Sequence, residues 1–78
     1  MSKRVILADR IVSDPGILLG KPVIRGTRMP VYLIVGFVEA GQTPEEIIDD
    51  YPNLTVEDVA AALAFDEQER KRTTVRAL

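Results

Sequence analysis

The sequence predicts a mainly α domain, in which a short N-terminal β-segment precedes three helices arranged as a helix-turn-helix bundle. Two observations support this prediction. Apolar residues recur at helical spacing only after Pro30, and Thr43 and Thr55 each stand where a helix can begin, with acidic residues in the turn that follows. Because 78 residues suffice for one small domain, we expect residues 1–78 to form a single unit.

Residues 1–28 are predicted to form a basic segment of short strands and turns. β-branched residues are frequent in three short apolar runs, which are typical of strands. Between the second and third runs, Ser13-Asp14-Pro15-Gly16 has the residues of a tight turn. The three runs are Val5-Ile6-Leu7, Ile11-Val12 and Val23-Ile24.

The first helix is predicted over residues 30–41. Leu33 and Phe37 lie on a different side of this helix from its main apolar face, so the helix is apolar nearly all round and must be covered on more than one side. We therefore expect a homodimer with Leu33 and Phe37 in its interface, and pairing between strands of the two copies is a further contact that the sequence leaves open. The main apolar face consists of Val31, Ile34, Val35 and Val38.

Two further helices are predicted over residues 44–51 and 55–72, followed by a tail at 73–78. Thr43 and Glu46 form the pattern of a capping box. Pro52 ends the shorter helix, and Thr55 caps the longer one.

Composition argues against an enzyme. The chain has no cysteine and no histidine, so thiolate metal sites and the commonest general base are absent. We expect no catalytic residues, no metal and no cofactor. The chain shows neither a signal-peptide core nor a run of about 20 apolar residues, and we expect a cytoplasmic protein without membrane contact.

The net charge of −2 conceals strong segregation along the chain. Residues 1–28 carry six basic and two acidic side chains, residues 29–69 carry ten acidic and no basic ones, and residues 70–78 carry four basic ones, which sums to +4 − 10 + 4 = −2. Such asymmetry is typical of polyanion-binding segments. It is equally consistent with basic and acidic segments that neutralise each other.

DNA contacts are predicted in the front segment rather than on the third helix. The first turn of that helix carries Glu57 and Asp58, which would oppose a phosphate array. In the front segment, arginine can read guanine with two hydrogen bonds and a threonine hydroxyl can donate to phosphate. In the alternative interpretation, these arginines form salt bridges with the acidic helices. The candidate DNA-binding residues are Lys21, Arg25, Thr27 and Arg28.

Two other charged groups have a functional and a simpler interpretation. The basic group at the end of the chain can bind a partner protein or match the helix dipole. The acidic group can hold a divalent cation in a nuclease or form a solvated helix face. The basic group is Arg70, Lys71, Arg72 and Arg76, and the acidic group is Glu45, Glu46, Asp49 and Asp50.

Three strings at residues 14–31, 40–59 and 61–65 resemble the bacterial and archaeal family called domain of unknown function 433 (DUF433). They read DPGILLGKPVIRGTRMPV, AGQTPEEIIDDYPNLTVEDV and AALAF. The resemblance implies a homeodomain-like tri-helical domain after a short β-segment, usually dimeric. It also implies an antitoxin-like role beside a toxin similar to PIN-type ribonucleases, which hold Mg²⁺ with clustered acids into which related antitoxins insert an arginine.

These observations predict a non-enzymatic, antitoxin-like or DNA-binding regulatory protein. We expect it to form a homodimer, and its expected partners are a DNA operator and a PIN-like toxin. The alternative is a homodimeric protein-interaction module that does not bind nucleic acid.

Overall fold

Three short strands precede three helices along the chain. The structure is a computed structural model that describes residues 3–76, and the side chains of residues 3–72. The elements in order are β1 (Val5–Ala8), β2 (Ile11–Ser13), a 3₁₀ turn (Leu18–Gly20), β3 (Val23–Ile24), α1 (Val31–Glu39), α2 (Pro44–Asp50) and α3 (Val56–Arg76).

The strands form one antiparallel sheet in the order β1-β2-β3. Ile11 in β2 lies opposite Ile24 in β3 and opposite Ala8 in β1, where a bulge interrupts the pairing. The outer edge of β3 is covered by the chain that leads into α1, because the Ile24 amide donates to the Met29 carbonyl at 2.9 Å. The outer edge of β1 pairs with no strand among residues 3–76.

One face of the sheet and the three helices share a single hydrophobic core. Ile11 and Ile24 are as fully buried as the helical residues at its centre, and α3 packs against α1, α2 and β2. On the opposite face of the sheet, Val12 and Val23 are buried as well. The shared core consists of Ile11, Ile24, Val31, Ile34, Val35, Ile47, Leu54, Val59 and Ala62.

The predicted fold class, a mainly α bundle of helix-turn-helix type, is wrong, and the fold is α+β. About half of the chain is helical, and a three-stranded sheet lies in the N-terminal third. The prediction failed because strands of two to four residues were taken for a segment outside the bundle. Ile11 and Ile24 instead supply part of the core on which the helices pack.

The three predicted helices are present, with small shifts at their ends. The capping box is confirmed, since the Thr43 hydroxyl accepts from the Glu46 amide at 3.2 Å and the Glu46 carboxylate accepts from the Thr43 amide at 2.8 Å. The last helix continues to Arg76, although a tail was predicted from residue 73, because no glycine or proline stops it there.

No helix in the described part of the chain is long and apolar enough to cross a membrane.

A long-range ion pair joins the turn after β1 to the start of α3. Arg10 Nη1 donates to Asp58 Oδ1 at 3.1 Å, while Asp58 Oδ2 accepts from the Thr55 amide at 3.0 Å. Asp58 is thus a structural carboxylate that caps α3 and anchors the sheet to it. This pairing removes one of the two first-turn acids from the surface that a polyanion would meet.

Candidate nucleic-acid interface

A tight loop between β3 and α1 presents two arginines at its tip. We call residues 25–28 the basic loop. The Thr27 amide donates to the Ile24 carbonyl at 3.0 Å, which closes a four-residue turn, and Gly26 occupies its third position with φ +82°. A turn of this type requires a positive φ there, which glycine adopts without strain.

The Thr27 side chain holds this loop in shape. Its hydroxyl donates to the Ile24 carbonyl at 2.8 Å and accepts from the Met29 amide at 3.0 Å. Because the single hydroxyl proton is already used, Thr27 does not have the free donor that the predicted phosphate contact needs. Its contribution to the site is therefore to position Arg25 and Arg28.

Arg25 and Arg28 are exposed and unpaired. Within residues 3–72, no ion pair or side-chain hydrogen bond involves either guanidinium group. The backbone of Arg25 is fixed, since its amide donates to the Arg10 carbonyl at 2.8 Å. The loop thus offers two cations on a constrained backbone, and its arginines do not form the salt bridges of the alternative interpretation.

Lys21 lies away from the basic loop. It stands before β3 whereas Arg25 follows it, and four residues of extended chain separate their Cα atoms by about 13 Å. Lys21 lines a cleft of about 200 Å³ between α1 and α3, together with Tyr32, Phe65 and Asp66. The structure therefore brings together three of the four predicted DNA-binding residues.

A groove of about 290 Å³ runs beside the basic loop. Arg28 stands at this groove with Asn53, and Leu33 and Tyr51 contribute apolar surface. Sequence reasoning missed Tyr51 and Asn53, because they approach Arg28 from the turn after α2, more than 20 residues away. No local pattern indicates that these residues line one groove with Arg28.

The second side of α1 is covered in part within the chain. The ring of Phe37 stacks on that of Tyr51 with centroids 5.6 Å apart, so α2 and the turn after it cover a residue that was predicted to face a second copy. Leu33 stays exposed at the groove, and Tyr32 is exposed beside it. Of the two predicted interface residues, Leu33 is thus the one on the surface.

The basic end of α3 is paired with carboxylates. Arg70 donates to Glu39 of α1 and to Asp66, each at 2.7 Å, and these bonds raise the pKa of the Arg70 guanidinium. Lys71 lies 3.8 Å from Glu67 and Arg72 3.1 Å from Glu69. The side chain of Arg76 lies outside the described residues. All these pairs are exposed, where ion pairs contribute little to stability.

The acidic group on α2 serves the helix itself. Glu46 completes the capping box, and Asp50 accepts a 3.4 Å hydrogen bond from Gln42. Across the residues that the structure describes, no three carboxylates are grouped as a metal site requires. The geometry therefore supplies no centre for the nuclease interpretation of Glu45, Glu46, Asp49 and Asp50.

A family model and a solved structure point to the same family. The family model described as "Protein of unknown function (DUF433)" matches residues 11–65. Uncharacterized protein y4eO of Sinorhizobium fredii is 40% identical over 57 residues, and the chain spans only 26% of that protein's length. The crystal structure of a DUF433 member from Anabaena variabilis is 34% identical, with a TM-score of 0.74 over 90% of this chain and 69% of that one.

Proposed function

Since the chain belongs to the DUF433 family, whose description assigns no activity, we propose a function from the charged surface of the molecule. The protein is a non-enzymatic regulatory protein of the cytoplasm, and it binds nucleic acid through its basic loop. The observation that carries this proposal is that Arg25 and Arg28 are exposed and, within residues 3–72, unpaired, on a loop fixed by four hydrogen bonds to neighbouring backbone and the Thr27 hydroxyl. A constrained loop loses little conformational entropy when it binds a ligand.

The chemistry of the basic loop suits phosphate and base contacts. Guanidinium groups form two parallel hydrogen bonds with phosphate oxygens or with the major-groove edge of guanine. Space is open around Gly26, so a nucleic-acid backbone can approach the main chain closely. Asp58, which sequence reasoning counted against binding, is neutralised by Arg10.

A salt titration of the wild-type protein tests this function. If each chain makes two phosphate contacts, the logarithm of its affinity for a labelled DNA duplex should fall linearly as the logarithm of the salt concentration rises, and the slope should be about −1.8. This slope is measured by fluorescence anisotropy between about 25 and 200 mM salt, where counterion release dominates non-specific affinity. Absence of binding at the lowest salt would contradict the proposal and favour an interaction module without nucleic acid.

The antitoxin-like role is a second candidate function. The exposed ion pairs near the end of α3 favour it. Within residues 3–72, Lys71 and Arg72 pair with exposed acids on their own helix, so a denser group of carboxylates on another protein can replace those partners. We expect this end of α3 to enter the acidic cleft of a PIN-like ribonuclease.

This role predicts inhibition in a reconstituted assay. An equimolar amount of the protein should suppress Mg²⁺-dependent RNA cleavage by a PIN-like ribonuclease encoded beside it, and the double variant Lys71→Glu/Arg72→Glu should suppress it less. Cleavage that is unchanged by excess wild-type protein would exclude the antitoxin-like role for that pair.

A further inference from the structure

The groove beside the basic loop has no acidic side chain in its lining. Of the seven residues that line it, Arg28 is the only charged one, although residues 29–69 hold ten acidic side chains and no basic one. The cleft that holds Lys21 differs, because Asp66 and Glu69 also line it. Of these two hollows, the groove is therefore the one whose charge suits a polyanion.

The groove combines an aromatic ring with apolar side chains. Tyr51 lines it from the turn after α2, and Pro30 and Leu33 line it from the start of α1. The ring of Phe37 stacks on that of Tyr51 with 18° between the two planes, which fixes the Tyr51 ring. Tyr51 is only half-buried, so a planar group in the groove can contact it.

Two polar side chains at the groove have no partner within residues 3–72. No hydrogen bond there involves the carboxamide of Asn53, and no ion pair involves the guanidinium group of Arg28. A carboxamide supplies both a donor and an acceptor to the edge of a base. A guanidinium group forms two parallel hydrogen bonds with phosphate.

The size of the groove suits one planar group. Its volume is about 290 Å³, just below the volume of about 300 Å³ at which pockets for drug-sized ligands begin. An aromatic ring, a carboxamide and a guanidinium group around such a space match the face of a base, its edge and its phosphate. These are the contacts through which proteins recognise unpaired nucleotides.

We propose that the groove binds one unpaired base of a single-stranded nucleic acid. The base stacks on Tyr51, its edge contacts Asn53, and Arg28 contacts the adjacent phosphate. This inference rests on the proposed binding of nucleic acid by the basic loop, and it adds which form of nucleic acid is preferred. In a duplex each base is already stacked and paired, so it has to be flipped out before it can reach Tyr51.

A preference for single strands distinguishes this contact from simple charge attraction. A phosphate contact releases more counterions from a duplex than from a single strand, so two arginines alone should bind the duplex more tightly. Stacking of one base on an aromatic side chain raises affinity about 5-fold to 150-fold. At about 25 mM salt we therefore expect a labelled strand of about 20 nucleotides to bind about tenfold more tightly than its duplex.

Replacing Tyr51 tests the stack. Tyr51→Ala should lower the affinity for the single strand about tenfold and leave the affinity for the duplex unchanged in fluorescence anisotropy, whereas Tyr51→Phe keeps the ring and should bind as the wild type does. Tyr32→Ala removes the other tyrosine of the chain, which lies at the cleft with Lys21. This matched control should bind both forms normally. Equal affinity of Tyr51→Ala and Tyr51→Phe for the single strand would overturn the proposal.

Asn53→Ala tests the groove without disturbing the Phe37–Tyr51 stack. Asn53 is exposed and its φ is not positive, so the variant should keep the wild-type circular dichroism spectrum. We expect its affinity for the single strand to fall about fivefold, since a hydrogen-bonded base edge is lost, with no change for the duplex. Unchanged affinity for the single strand would contradict the placement of the base in the groove.

Tyrosine fluorescence reports the stack directly and separates the two possible failures. The chain has two tyrosines and no tryptophan, so Tyr51 is the only tyrosine emitter in Tyr32→Phe. The single strand should quench this emission, after correction for absorption by the DNA, and the duplex should not. Equal binding of both forms with unchanged emission would overturn this inference and leave the basic loop as the contact. Absence of binding to either form would overturn the proposed function itself.

Discussion

The double reversal Arg25→Glu/Arg28→Glu is expected to lower DNA affinity about 100-fold at low salt, since each charged contact contributes about 1.5 kcal/mol or more. Non-specific dissociation constants are about 10⁻⁴–10⁻⁶ M at physiological salt, so the loss should be measured by anisotropy at low salt, where wild-type binding is tighter. Both side chains are exposed and have no ion-pair partner among residues 3–72. The loop is closed by Thr27 and backbone bonds, so the fold should survive.

The matched control for this reversal is Lys71→Glu/Arg72→Glu. Both double variants change the net charge from −2 to −6, because each substitution changes it by −2, so a general electrostatic effect would lower DNA binding equally. A loss confined to the loop variant supports the basic loop as the contact. Equal losses in the two variants would mean that total charge, and not this loop, governs binding.

Replacing Ile11 by alanine is expected to destabilise the protein by about 2–5 kcal/mol, as much as replacing Ile34 does. Both side chains are 0% exposed and belong to the same core cluster, one from the sheet and one from α1. A small domain has only about 5–15 kcal/mol of stability, so either substitution should remove a large part of it. Urea unfolding followed by circular dichroism measures both.

The comparison of these two variants tests whether the fold is α+β. If the sheet were an appendage to a helical bundle, Ile11→Ala would cost under about 0.5 kcal/mol, as substitutions outside the core do, while Ile34→Ala would keep its full effect. Similar losses would confirm that the sheet and the helices unfold as one core.

The helices could be predicted because their signals are local. Thr43 and Glu46 cap α2 through bonds within one turn, and the apolar residues of α1 recur at helical spacing, so neighbouring residues suffice to recognise both. The first turn is equally local, although it begins at Asp14, one residue later than predicted, and the Asp14 carboxylate accepts from the Gly16 amide at 2.8 Å. Such features depend little on the rest of the fold.

The importance of the sheet could not be predicted in the same way. β2 and β3 span three and two residues, too few for a period to reveal which side chains face the helices. Burial of Ile11 and Ile24 depends on pairing between strands and on α1 and α3, which are distant along the chain. The sequence therefore indicated strands but did not show that they complete the core.

The candidate site could be predicted only in part, because some of its features depend on residues that are distant along the chain. Arg25 and Arg28 are three residues apart in the sequence, so their proximity did not depend on the tertiary fold. The separation of Lys21 depends on the direction of β3, and the Arg10–Asp58 pair joins positions 48 residues apart. Long-range pairing of charges is decided by the tertiary fold, and composition alone left both interpretations of the basic segment open.

The most direct test of the proposed interface is a titration of ¹⁵N-labelled protein with a DNA duplex, followed by amide chemical shifts. We predict that the shifts concentrate on residues 25–28 and on their neighbours at the groove, while residues 56–60 at the start of α3 stay unperturbed. Shifts centred on the start of α3, or none at all at low salt, would contradict the assignment of nucleic-acid contact to the basic loop.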